Sequence, residues 1–147
     1  MKPLFIFCIT ILFASCGQFH DDDEQATLVA QQWAEAYFNC DYAEALTLST
    51  PESSQWLQFA ASNTTQAMLD LQNRQHAEVE ATDFFPVAND TLRVVEVLVS
   101  NYLKSTAING LPEQATHGRF RITVVKRGND WQVRMADLPR SEKQSRD

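Results

Sequence analysis

Residues 26–49 read ATLVAQQWAEAYFNCDYAEALTLS, and this stretch decides the fold. Val29, Ala30, Trp33, Ala34, Tyr37 and Phe38 recur at helical spacing and form one apolar stripe. Gln31, Gln32, Glu35 and Asn39 fall on the other side. The pattern predicts a helix from about Glu24 to Asn39. A tight Asn39-Cys40-Asp41 corner follows, and then a short helix from Tyr42 to Ser49. Asp41 with Glu44 after it reads as a capping-box-like start to that second helix.

Downstream, Thr50-Pro51-Glu52 is a helix-start signal, with Thr as cap, Pro at the first position and Glu in the first turn. It predicts a third helix carrying Trp56, Phe59, Ala60, Ala67, Met68 and Leu71 and ending near Arg74-Gln75. The polar run Ser62–Thr65 is a poor helix former and a candidate break. After His76 the period changes. Glu78–Phe84 reads as a strand closed by Pro86, and Leu92–Tyr102 (LRVVEVLVSNY) as a strand rich in β-branched residues. After a loop containing Asn109-Gly110 and Pro112, Thr116–Lys126 alternates, with Phe120, Ile122 and Val124 on one face and Arg119 and Arg121 on the other. Arg127-Gly128-Asn129-Asp130 is a hairpin turn. Beyond it Trp131, Val133 and Met135 point inward and Arg134 outward. Helices first and a meander afterwards predict an α+β domain: three N-terminal helices packed on one face of a curved antiparallel sheet of about four strands. The outward arginines are then solvent-facing alternates, paired across strands with Glu96, and read as surface charge, not an anion site.

The chain has 147 residues, 44% hydrophobic and 21% charged, which suits one globular domain. Its start is of another kind. Met1-Lys2 is a short positive region and Leu4–Phe13 an unbroken apolar run, the length of a signal-peptide core and too short for a membrane span. Phe13-Ala14-Ser15-Cys16 resembles the bacterial lipobox, with Phe13 in place of the usual Leu. By that resemblance residues 1–15 are a lipoprotein signal peptide, Cys16 is lipidated and residues 16–23 form a tether; an ordinary signal peptide cut near Ala14-Ser15 is the alternative. Two or three acyl chains anchor stably, where one binds only marginally. Gly17 resembles the residue after Cys in lipoproteins sent to the outer membrane. Asp21–Glu24 looks like an acidic surface-export signal, or else is a self-repelling tether that favours the first helix. The implied address is the outer membrane, on its periplasmic or exposed side, with the lipid anchor as the membrane contact.

With Cys8 in the signal and Cys16 acylated, Cys40 is left alone, so no internal disulfide forms. At a helix corner it reads as a small buried residue. The formal charge of −7 argues against nucleic acid as a partner. Basic residues nevertheless crowd the end of the chain, from Arg119 to Arg146. No spacing suggests a metal site, no glycine-rich phosphate loop appears, and no cofactor is expected.

The phrases AEAYFNCDYAEALTLS at 34–49 and KRGNDWQVRMADL at 126–138 resemble the nuclear transport factor two-like superfamily of cone-shaped α+β domains, in particular its small Gram-negative lipoproteins. The resemblance covers 24–138 and leaves 139–147 as a polar tail; Cys40 stands where glycine is commoner. It implies a cone that binds a small apolar ligand or an envelope protein without catalysis, and that can form a homodimer. The alternative it implies is an isomerase- or dehydratase-like enzyme with a carboxylate or a His/Tyr pair inside the cone. Candidate pocket or core residues are Trp33, Tyr37, Trp56, Phe59, Asp83, Tyr102 and His117. Of these, Asp83 is the acid–base candidate of the enzyme reading, its apolar neighbours Phe84 and Phe85 favouring a raised pKa; a solvated loop carboxylate is the other reading. His76 caps a helix end. No catalytic residue is assigned. Asp90-Thr91-Leu92 resembles a bacterial O-glycosylation acceptor, which makes Thr91 a candidate glycan site.

Overall fold

The computed structural model describes residues 18–87, 89–104 and 111–142. Residues 1–17, on which the expected signal peptide and the candidate lipidation site Cys16 fall, Asn109-Gly110 and residues 143–147 lie outside the described residues. In chain order the elements are α1 (Gln18–Phe38), α2 (Tyr42–Thr47), a 3-10 turn (Pro51–Ser53), α3 (Ser54–Ser62), α4 (Gln66–Arg74), β1 (Glu78–Pro86), β2 (Leu92–Leu103), β3 (Gln114–Arg127) and β4 (Asp130–Val133). The strands form one antiparallel sheet in the order β1-β2-β3-β4, with a bulge between Ala81 and Asp83. The α+β expectation holds, and the described residues form four α-helices where three were expected.

Ala26, Ala30, Trp33 and Ala34 of α1 are buried against Val95, Val97 and Val99 of β2 and Phe120, Ile122 and Val124 of β3. Small alanines let the helix approach the sheet closely, and Trp33 fills the centre. Its indole N–H donates to Ser49 Oγ at 2.9 Å, and that hydroxyl donates to Ala45 C=O at 2.7 Å. A buried polar tip is thereby satisfied.

The first helix begins six residues before the expected Glu24, inside the stretch read as tether. Two ion pairs hold the extra turns. Lys126 Nζ reaches both oxygens of Asp22, at 2.8 and 2.9 Å, and Arg93 Nε reaches Asp23 at 3.0 Å. The acidic side chains also favour the positive end of the helix.

At the other end of α1, Asp41 N–H donates to Ala36 C=O at 2.8 Å and Cys40 N–H to Tyr37 C=O at 3.1 Å. This is the Schellman pattern, and Cys40 occupies its left-handed position with φ +63°. A side chain there costs on the order of 1 kcal/mol relative to glycine. Cys40 is half-buried, where full burial was expected. Asp41 then caps α2 by accepting from Glu44 N–H at 3.1 Å. The reciprocal half of a capping box does not form, because Asp41 N–H is committed to Ala36.

The expected third helix is two helices. Ser62, Asn63 and Thr64 side chains donate back to the carbonyls of Gln58, Phe59 and Ala60 at 2.8 Å each, which competes with helix continuation. Thr65 restarts the helix by accepting from Met68 N–H. Leu57 packs in the core and Ala60 is buried; Trp56 is half-buried and Phe59 is 54% exposed, so Phe59 is not a core residue.

The hairpin turn falls at Gly128-Asn129 as expected, with Gly128 at φ +64°. On the outer face Arg119 pairs with Glu96 at 3.5 Å, and Arg121 with Glu142 at 3.6 Å. The polar tail is tied down through residue 142: Glu142 N–H donates to Arg119 C=O at 3.1 Å, and Ser141 is buried.

Candidate ligand cleft

Strict alternation would send Tyr102 outward with Leu98 and Ser100. The backbone at Asn101 is left-handed, φ +57°, and turns the end of β2 so that Tyr102 packs on the core side. Two amides hold this kink: Gln72 Nε2 and Gln114 Nε2 donate to Asn101 C=O at 3.1 and 3.0 Å. Gln72 is 1% exposed, on the face of α4 that Met68 and Leu69 share. Its other contacts explain that burial. Its Nε2 also reaches Asn39 Oδ1 at 3.3 Å, and its Oε1 accepts from Gln114 at 3.1 Å. One amide thus ties together α1, α4 and the sheet.

Once inside, the Tyr102 ring lies against Gly118, where an added Cβ would sit 2.5 Å from the Tyr102 hydroxyl. Gly118 is therefore needed for close approach. Tyr102 meets Phe120 edge-on at 5.0 Å between centroids, and Phe38 meets Phe120 at 4.6 Å. These rings floor a cleft of about 360 Å³ that opens at the C-terminal end of α1. One wall is Tyr37, Cys40 and Tyr42 from the helix corner. Ala60 of α3, Thr64 of the break after it and Met68 of α4 form another, with Phe59 at the mouth and Leu138 and Pro139 closing the far side. Lys104 lines the cleft too, its ammonium held by Glu113 at 3.0 Å.

Thr64 gives its proton to Ala60 C=O, so in the 3.0 Å bond between the two wall hydroxyls Tyr42 donates to Thr64. Burial pushes the Tyr42 phenol up to about 12, the bond to Thr64 partly opposing. Burial also raises Tyr37, with Tyr42 and Cys40 beside it adding to the shift. The Cys40 thiol is raised by burial and pulled back in part by a hydrogen bond with Tyr42. All three stay protonated at neutral pH. The Tyr37 hydroxyl makes no hydrogen bond to a described residue, although its ring stacks on Trp33 at 4.9 Å.

The residues singled out from sequence divide sharply. Tyr37, Tyr102 and Phe59 line this cleft, whereas Trp33 and Trp56 pack into or against the core. Asp83 is exposed on β1, accepting from Phe84 N–H at 2.7 Å, and is not in the cleft wall. Of the two readings of Asp83 the exposed carboxylate is the one that agrees with the structure and the pocket acid is not, because the bulge after Ala81 leaves the side chain on the outer face. His117 is exposed on β3 opposite Ser100, also outside the cleft. His76 sits within 3.4 Å of Asn39 Oδ1. Thr91 is exposed in the β1–β2 turn, its hydroxyl donating to Asn89 at 2.8 Å. Sequence reasoning missed Thr64, Met68 and Gly118. A glycine inside a strand was the available signal for the last.

Among the described residues no group of three or more His, Cys, Asp or Glu side chains is placed to hold a metal, and no helix is long and apolar enough to cross a membrane. Compared with family models and with curated proteins, the chain matches none.

Proposed function

We propose that this chain is a lipoprotein of the outer membrane, acylated at Cys16, whose domain is of the nuclear transport factor two-like kind and binds a small apolar ligand without catalysis. The observation that carries the binding reading is the cleft itself. Its volume of about 360 Å³ lies within the range of small-molecule sites, and aromatic and aliphatic side chains make most of its wall. Its phenols and thiol are held protonated by burial, which does not suit abstracting a proton. Tyr37, with its hydroxyl free of described partners, is the donor that would orient the ligand.

The test uses the chain from Gln18 onward, which holds every described element, and the neutral apolar fluorophore N-phenyl-1-naphthylamine. Saturable binding is expected, weakened by Phe59→Ala and blocked by Ala60→Trp, which fills the cleft. Binding unchanged in both variants would remove the cleft as the site. The anchor is tested separately. Labelled palmitate is expected on the full chain and absent from Cys16→Ala, and an unlabelled parent chain would refute acylation. Thr91 is proposed as a glycan acceptor on its exposed turn, and an intact mass equal to protein plus lipid alone would exclude it.

A further inference from the structure

The start of α1 fixes more than the helix. Gln18 opens it, two residues after Cys16. Two residues of fully extended chain span at most about 7 Å. Unwinding the first turns to lengthen that connection would break the bonds that Lys126 makes to Asp22 at 2.8 Å and Arg93 to Asp23 at 3.0 Å. The stretch that reads as tether in the sequence is therefore mostly stem.

Other segments share this end of the domain. Lys126 N–H donates to Thr91 C=O at 2.8 Å, which joins the β3–β4 turn to the β1–β2 turn, and Arg127 pairs with Glu52 of the 3-10 turn. Val87, an exposed apolar side chain, leads into the β1–β2 turn. The aromatic cleft lies at the opposite end, beside Phe38 and Cys40. At 1.5 Å per residue, the 21 residues of α1 set the two ends about 30 Å apart.

Charge keeps the helical flank off an anionic surface. No Lys or Arg occurs between Cys16 and Asn73. Glu24, Glu35, Asp41 and Glu44 are exposed on α1, the corner after it and α2, with no ion pair to a described residue. Such a flank is repelled by anionic headgroups within a Debye length. The base has exposed acids too, in Asp21, Asp90 and Asp130, so charge does not draw it to lipid. The short covalent connection does.

We infer that the end built from the first turns of α1 and the two hairpin turns rests on the phospholipid headgroups of the anchoring membrane, and that the aromatic cleft opens away from them into the aqueous space. This rests on the acylation of Cys16 proposed above. The ligand then enters the cleft from the aqueous side and not by lateral diffusion out of the anchoring bilayer.

The full chain is made in a host that acylates lipoboxes and adds no glycan. It is reconstituted in vesicles of phosphatidylethanolamine and phosphatidylglycerol doped with a lipid bearing a nitroxide on its headgroup. With Cys40→Gly in place and Cys16 blocked by its acyl chains, a thiol-reactive dye is carried by Asn129→Cys, Gln32→Cys, Asn63→Cys or His117→Cys. These report the base, the helical flank, the cleft mouth and the outer sheet face. Emission is expected to be largely lost in Asn129→Cys and unchanged in the other three. A Gly-Ser insert of about ten residues after Gly17, with a reach of ~17 Å, is expected to restore it. A chain that does not float with the vesicles refutes the acylation and this inference together. A chain that floats, but is unquenched in Asn129→Cys, equally quenched in any other variant, or still quenched with the insert, overturns the orientation alone.

Discussion

The two ends of the space between α1 and the sheet are finished in opposite ways. At the N-terminal end Trp131 is 5% exposed, with Arg93 at 5.5 Å from its ring and Lys126 at 5.9 Å. Each cation is tied in turn to an aspartate of α1. At the C-terminal end Phe38, Tyr102 and Phe120 form an equally aromatic group, and there the Lys104–Glu113 pair lines a cleft without filling it. Aromatic content alone therefore does not say whether the space between helix and sheet is plugged or open; what packs on the rings does. Closed-end changes should cost stability and spare ligand binding, and open-end changes should do the reverse.

The largest effect should come from Trp131→Ala. Emptying that position is expected to cost about 3–5 kcal/mol in urea unfolding, with fluorophore affinity retained by the folded fraction. Arg93→Met keeps the bulk but loses the Asp23 pair and the contacts with Trp131 and Phe84, for a cost of about 1–3 kcal/mol. Loss of binding in either variant would show that the two ends are not independent. Gly118→Ala should act at the open end. It forces the Tyr102 ring to move, so affinity is expected to fall while the stability loss stays near ~1 kcal/mol.

A pH series sharpens the contrast. Glu52, paired with Arg127, has its carboxyl lowered from 4.5 to about 2 by that hydrogen bond, and Lys126 likewise lowers Asp22. A depressed folded pKa gives stability that is present above the unfolded value and lost as pH falls through the folded one. The melting temperature should therefore drop between about pH 4.5 and pH 2. Glu52→Gln should flatten part of that drop and leave neutral-pH binding alone. The smallest effect is expected for Cys40→Gly. Relief of the left-handed strain and loss of a half-buried thiol oppose each other, so the change should stay within about 0.5 kcal/mol.

What was legible in the sequence was local. The α1 stripe, the Gly128-Asn129 turn and the alternation of β3 need only neighbours to be read, and each is where the pattern puts it. What was not legible depends on partners far along the chain. The early turns of α1 rest on Arg93 and Lys126, and the inward turn of Tyr102 rests on Gln72 and Gln114 holding a kink at Asn101. The same holds for the cleft. Tyr37 and Tyr102 were candidates from their type, but Thr64 and Gly118 matter only because the break after α3 and the bend of β2 bring them to those rings. Asp83 failed as a pocket acid for a similar reason, since a one-residue bulge decides its face.

The pairing of Asp22 and Asp23 bears on any machinery that would read the run Asp21–Glu24 as an address. In the finished fold half of that run is already occupied by the protein's own cations, and only Asp21 and Glu24 stand exposed. A receptor needing all four carboxylates must meet the nascent chain before it collapses, or else pry the first turns of the helix away from the sheet. Sorting and folding would then compete in time for the same two side chains.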